Sequence, residues 1–368
     1  MVKVLGLSVR GYATIVLTIG LGMTGIVNLE STASGAAKNV HVGQSIWFVL
    51  GLGVMVVVGA LDQQRLRRYS GLFYLLTVGL LIAVLLVGKE VNGSRRWLDF
   101  GFASLQPSEL AKIAIIVALA TWFNRVIRPD GYTMTDLVPV AVLLGVPMFL
   151  VLQEPDLGHT LMLFFIGGTM LVYEKFERRA LVTLIAVGLI GVPLAWNFVL
   201  RDYQKDRVLT LLDAGGGRQG TGWHATQARV AVGSGGLRGK GQGRGTQVAG
   251  GFLPENHTDF VFAHLAEERG FVGATPALLL YFCLMIAALR IARSAASRFG
   301  GVIAVGVCAL IFWHVLMNVG MVLNLLPVTG VTLPLLSYGG SSMLTVMAGM
   351  GLLINVDRNR LSRRSSLA

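Results

Sequence analysis

Charge is scarce in this 368-residue chain: Asp, Glu, Lys and Arg make up 14% of it, where a soluble domain carries about 25%. With 54% hydrophobic residues and a mean hydropathy of +0.68, that scarcity excludes a soluble protein. Only two cysteines occur, Cys283 and Cys308. Each sits inside an apolar run, so neither a disulfide nor a zinc site is expected. Acidic residues are the scarcer sign, 19 against 31 basic ones, leaving a net charge of +12. In a soluble chain that excess would point to nucleic acid. Here it reads as basic loops facing anionic lipid, with no nucleic-acid partner. The first apolar run lacks a small-residue cleavage site and many like it follow, so it is not read as a removable signal. An internal repeat of the kind used by transporters is missing. So is a separate soluble domain, and residues 1–368 read as one membrane domain.

What is present is a succession of bilayer-length apolar runs, which predicts an all-α polytopic integral membrane protein. About ten spans are expected, near 11–29, 44–61, 70–88, 108–124, 136–152, 158–174, 180–200, 259–290, 299–325 and 339–356. Basic residues orient them. Arg65, Arg67 and Arg68, Lys175, Arg178 and Arg179, Arg290, Arg293 and Arg298, and the Arg358–Arg364 tail fall on one side. The short loops opposite hold only Lys38, Lys89, Arg95 and Arg96. Both termini are therefore expected in the cytoplasm. One external connection, 201–258, far exceeds ordinary loop length. It is glycine-rich, yet Trp223, Val230, Val232, Leu237, Val248 and Phe252 argue against a floppy linker. A short amphipathic helix near 222–232 is expected there, along the membrane surface.

The unusual polar residues gather at the external ends of the spans. "NGSRRWLDFG" (92–101) leads into "QPSELAK" (106–112), where Pro107 suits a helix start and Ser108 a cap. Glu109 and Lys112 lie three apart on one helical face. They are either a structural ion pair or, in a functional reading, Lys112 joins Arg95 and Arg96 in attracting a phosphorylated substrate. In "QEPDLG" (153–158), Asp156 reads as an N-cap or cavity support ahead of a catalytic role. "SGGLRGKGQGRGTQ" (234–247) fails as a nucleotide loop, because Ser234 and Gly241 stand where the consensus needs Gly and Ser or Thr. Its glycines with Arg238, Lys240 and Arg244 still suit an anionic head group, or form a plain polar loop.

"FLPENHTDF" (252–260) then opens an apolar run. Thr258 or Asp259 could cap a helix; alternatively Asp259 is a general base beside a membrane-level cavity. His257, Asp259 and Glu255 match no common metal spacing. Glu267, Glu268 and Arg269 cannot all face lipid, so their helix must line a polar interior or leave regular geometry. "LLPVTGVTLPLLSYGGSS" (325–342) predicts an irregular loop shielded by protein, with Ser337, Ser341 and Ser342 near it. It holds no G-x-S-x-G elbow, so a serine hydrolase is a poor reading.

Together "NGSRRWLDFG", "QPSELAK", "QEPDLG", "GLRGKGQGRGTQ", "LPENHTDFVFAHLAEERGFVG" and "LNLLPVTGVTLPLLSYGGSS" resemble the SEDS family of bacterial cell-wall proteins. They run in family order over about residues 90–345, and their details look more like the RodA branch than the FtsW branch. The resemblance implies a peptidoglycan glycosyltransferase that polymerises lipid II, a disaccharide-pentapeptide on undecaprenyl diphosphate, for cell elongation and shape. It implies Asp259 as the catalytic carboxylate and Arg95, Arg96, Trp97, Glu109 and Lys112 as cavity residues. Asp156, Arg238, Lys240, Arg244, His257, Thr258, Glu267, Ser337 and Ser341 complete the expected site. Asn256 and His264 depart from the usual family residues, which leaves nearby substrate contacts open. A divalent cation, Mg or Mn, is an optional companion of the diphosphate. The resemblance also implies a class B penicillin-binding protein partner and other elongation-complex membrane proteins. Two readings compete with the enzyme: a lipid II flippase and a non-catalytic scaffold.

Overall fold

A computed structural model describes residues 7–31, 39–91, 94–101, 104–128, 131–199, 204–205, 207–209, 221–250, 252–253 and 255–366. Asn92, Gly93 and Pro254 of the expected motifs, and residues 201–203, 206, 210–220 and 251 of the long connection, lie outside them. Each expected span coincides with a helix: α1 (Val9–Glu30), α2 (Val40–Ala60), α3 (Gln63–Val87), α4 (Pro107–Arg125), α5 (Met134–Gln153), α6 (Leu157–Tyr173), α7 (Arg178–Leu194), and, further on, α10 (Val261–Ser294), α11 (Arg298–Val322) and α12 (Gly340–Ser366). Between α7 and α10 lie α8 (Thr221–Gly235), a helix where one was expected but without a distinct apolar face, and the single turn α9 (Thr246–Ala249). Among the described residues, six helices are long and apolar enough to cross a membrane: α1, α2, α3, α5, α10 and α11. The chain is an integral membrane protein.

The fold departs from all-helical in one place. Lys89–Val91, Ser94–Asp99 and Ser104–Leu105 form three short antiparallel strands, β1–β3, in the order β1-β2-β3. Strand β2 carries "SRRWLD", in which only Leu98 is buried while Arg95 and Asp99 are exposed. A strand so short and so little covered carries almost no apolar alternation to read.

Helices α4 and α11 form the centre, each buried along nearly its whole length. Helix α4 can carry Glu109 and Lys112 because protein, not lipid, surrounds it. Pro107 starts it as expected, since a first-turn N–H has no helical partner to lose. Ser108 does not cap: it is already inside the first turn, and Gln106 holds the cap position. Helix α10 breaks at Gly270, whose φ of +63° leaves the helical region. That break is the departure from regular geometry that the run Glu267–Arg269 demanded.

One end of the bundle joins the two termini. The Ser8 backbone N–H and hydroxyl donate to Asp357 at 2.8 and 2.6 Å, so the starts of α1 and the end of α12 lie on the same side. Nearby, Ser297 bonds Gln63 and Asn355 holds carbonyls at Val58, Gly59 and Leu61. At the other end, β2, the α5–α6 turn, residues 255–260 and the segment 323–339 converge.

Candidate active site

These converging segments enclose a cavity of about 680 Å³. Of the expected residues, Arg96, Trp97, Glu109, Asp156, Thr258 and Asp259 line it. Gln106, His159, Arg207, Glu255 and Tyr338 line it too and were not anticipated.

Asp259 sits in a turn that precedes α10 and is held through its backbone. Glu255, at φ +55°, offers one carbonyl to the N–H groups of Thr258, Asp259 and Phe260. Three successive carbonyls are then pinned from outside the turn. The Tyr338 N–H donates to His257 O at 2.8 Å, the Ser337 hydroxyl to Thr258 O at 2.6 Å, and the Asn318 amide to Asp259 O at 2.8 Å. Asn318 also donates to Val331 O at 2.8 Å, tying the turn to the irregular segment. Across from the carboxylate stands Gly330 at φ +68°, where a Cβ would lie 3.3 Å from Asp259 Oδ2. Glycine there gives both the backbone shape and the clearance.

Asp259 caps nothing. The cap position of α10 belongs to Phe260, with no side-chain bond, so the carboxylate is free of the bland role that its position allowed. Burial, and next the Glu255 carboxylate, push the Asp259 carboxyl up to about 6, against a hydrogen bond from Thr258. An acid of that strength is an effective proton acceptor near neutral pH.

A buried relay of charge runs inward from the same cavity. Arg96 donates to the Glu154 carbonyl at 3.2 Å and to the Pro155 carbonyl, and stands 3.7 Å from Asp156. Asp156 caps α6 through the His159 N–H at 3.1 Å, as expected, and meets the His159 ring at 3.0 Å. The other ring nitrogen of His159 meets Glu109 at 2.9 Å. Glu109 pairs with Lys112 at 2.8 Å, and Lys112 reaches His314 Nε2 at 2.9 Å. His314 Nδ1 faces the Leu310 carbonyl at 2.7 Å, so Nδ1 carries the proton and Nε2 accepts from the lysine. Burial alone would raise Asp156, but His159 and Arg96 hold it well below the usual carboxylate range. The Glu109–Lys112 pair is therefore one link in a network that ends on Arg96 at the cavity wall.

Other expected residues lie elsewhere. Arg95 is exposed and faces Glu90 at 3.6 Å. Ser341 joins the Gln106 N–H to the Ser104 carbonyl, both at 3.1 Å, so it fastens α4 and β3 to α12. Lys240 pairs with Glu267 at 2.7 Å, and Glu267 also accepts from Thr246 and the Gln247 N–H. Around them the glycine-rich loop lies on the α10 break: the Lys240 and Gly241 N–H groups donate to Glu267 O and Glu268 O. In return, the Phe271 and Val272 N–H groups donate to Gly236 O and Leu237 O. This exchange satisfies backbone groups that the break would orphan. Arg238 and Arg244 are exposed on the loop, and neither they nor Lys240 line the cavity. His257 faces an adjoining pocket. Among the described residues no group of three or more His, Cys, Asp or Glu side chains is arranged to hold a metal ion.

The sequence profile of the family described as "Cell cycle protein", for FtsW, RodA and SpoVE, matches residues 9–362. The chain belongs to the FtsW/RodA/SpoVE family. "Peptidoglycan glycosyltransferase MrdB" of Escherichia coli (strain K12) is 40% identical over 311 residues, 84% of each chain. A chain of the solved structure described as "Structural coordination of polymerization and crosslinking by a peptidoglycan synthase complex" superposes with a TM-score of 0.81 at 32% identity. It covers 95% of this chain and 98% of its own. The Thermus thermophilus "Rod shape determining protein RodA" superposes with a TM-score of 0.70 at 29% identity, covering 98% and 99%. The RodA-like character read from the motifs agrees with these likenesses.

Asn318 is a positioning residue that sequence reasoning missed, since one amide in an apolar run reads as a packing contact. Asn318→Ala is expected to slow turnover by about 10²-fold, the effect of a misplacement near 1 Å. It also leaves one buried and one partly buried carbonyl short of a donor, at a cost of about 1–3 kcal/mol. Turnover together with thermal unfolding in detergent checks both.

Proposed function

We propose that this FtsW/RodA/SpoVE-family chain is a peptidoglycan glycosyltransferase that polymerises lipid II into β-1,4 glycan, with Asp259 as general base. The observation that carries this reading is a carboxylate held by three backbone pins in one cavity with Arg96 and Arg207. Glycosyl transfer from a diphosphate needs a base for the acceptor hydroxyl and cations for the leaving group. Asp259 takes the proton from the C4 hydroxyl of the acceptor GlcNAc as its oxygen attacks the donor's anomeric carbon. The bond from that carbon to the diphosphate oxygen breaks, and its electron pair leaves with the diphosphate. Arg96 and Arg207 meet the charge released there. Arg207 is steadied by donation to the Val328 carbonyl at 3.1 Å, and Arg96 by the relay behind it. Displacement at one face turns an α-linked donor into a β-linked product.

The cavity belongs on the outer face of the bacterial cytoplasmic membrane, with both termini inside. Ser8 and Asp357 meeting at the opposite, arginine-rich end supports that orientation. The likeness to a chain from a peptidoglycan synthase complex supports a class B penicillin-binding protein as partner.

The activity should fall as the pH drops through about 6, because the base works as the carboxylate and Asp259 titrates there. Removing the neighbouring negative charge with Glu255→Gln should move that limb to lower pH. A limb unmoved by Glu255→Gln in the pH–rate profile speaks against Asp259 as its origin. The flippase reading is separated by supplying lipid II in detergent, with no bilayer to cross. Polymer formed there by the purified chain supports the transferase, and its absence with and without the partner supports a transporter or scaffold.

A further inference from the structure

Beside the charged cavity lies a second pocket of about 520 Å³, and the two share Trp97, Thr258, Tyr338 and Gly339. Its composition differs sharply from that of its neighbour. The walls are the rings of Trp47, Trp97, His257 and Tyr338, with glycines between them. Not one Leu, Ile, Val or Met is among the described lining residues, so the apolar surface there is aromatic. Among the described lining residues the one Lys or Arg is Lys89, which already pairs with Asp99 at 2.9 Å, so little free positive charge faces a phosphate there.

The rings are held by glycine contacts. A Cβ on Gly340 would lie 2.5 Å from the Trp47 ring, and one on Gly43 would lie 3.3 Å from the Tyr338 ring. The ring of Tyr338 also stands 6.1 Å from that of His257, tilted by 51°. Gln44 fixes the backbone beneath them, donating to Ser337 O at 2.9 Å and accepting from the Gly339 N–H at 3.3 Å. Each ring thus presents a half-buried face to the pocket.

We infer that this aromatic pocket is a pyranose subsite, holding the acceptor's sugar while the charged cavity takes the donor's diphosphate. The inference rests on the glycosyltransferase reading above. Axial C–H groups of a pyranose are weakly positive and dock on the negative face of an aromatic ring. Hydroxyls at the sugar's edge meet His257, Thr258 and Ser104, a few polar groups in a mainly apolar concavity. Thr258 stands on the shared wall one residue before Asp259. An acceptor hydroxyl pointing across that wall therefore arrives at the base.

The test uses the full chain in detergent, with a soluble β-1,4-linked GlcNAc tetrasaccharide as probe and calorimetric titration as readout. Trp47 touches neither Asp259 nor the charged cavity, so its removal separates sugar affinity from chemistry. Trp47→Ala should weaken tetrasaccharide binding and raise the KM for lipid II, each by about tenfold. The kcat should change little, and Trp47→Phe should restore most of both losses. Unchanged binding and KM in Trp47→Ala overturns the subsite, as does a loss confined to kcat. Wild-type protein that binds the tetrasaccharide but makes no polymer would refute the transferase reading and leave a sugar site standing. Protein that polymerises with no Trp47-dependent binding or KM would do the reverse.

Discussion

Glu109→Ala should be among the most damaging single substitutions in this protein. Glu109 and Lys112 are both fully enclosed, and among the described residues the carboxylate is the one acid within ion-pair distance of the lysine. Removing it leaves a buried ammonium against neutral His314, and strips His159 of one of its two acidic partners. Breaking a buried pair from one side costs about 3–5 kcal/mol, a large part of the stability that a domain has to lose. The expected result is a collapse in folded yield or a large drop in unfolding temperature in detergent. Replacing both partners with apolar residues, Glu109→Leu with Lys112→Met, should recover most of that stability, because no unpaired charge remains. Activity should stay depressed in the double variant, since His159 no longer bridges two acids and Arg96 loses the support behind it. A single variant as stable as wild type contradicts the network. A double variant with full activity reduces the pair to packing.

That network also marks where reading the chain residue by residue stops. The spans were legible because bilayer-length apolar runs leave few alternatives. Pro107 at a helix start and Asp156 as a cap were legible because each is dictated by local chemistry, and the break at Gly270 is one of the two outcomes open to Glu267–Arg269. Partners distant in sequence were not. His159 lies 50 residues from Glu109, Asn318 lies 59 from Asp259, and Lys240 lies 27 from Glu267. Nothing local distinguishes such a residue from a satisfied core histidine, a packing amide or a solvated lysine. The glycine-rich loop shows the consequence. Its glycines and cations suited an anion, whereas in the fold its N–H groups meet the carbonyls of a broken helix. Arg207 was passed over inside a long connection, although it reaches the cavity that the motif arginine Arg96 also lines. The family resemblance singled out Asp259, and the geometry adds what holds it there.

Asp259→Asn bears most directly on the account. The amide keeps the shape and the backbone pins, all of which run through main-chain carbonyls. It cannot take a proton, and loss of a general base costs about 10²–10⁴-fold in rate. Removing one negative charge from a cavity proposed to take a diphosphate should not weaken substrate binding, so the loss belongs in kcat. The measurement is glycan polymerisation from lipid II in detergent by purified wild type and Asp259→Asn, side by side, with and without a class B penicillin-binding protein. Wild type is expected to form polymer and the variant to be slower by at least about 10²-fold, with unfolding temperature and lipid II affinity retained. Equal rates for the two proteins would contradict it.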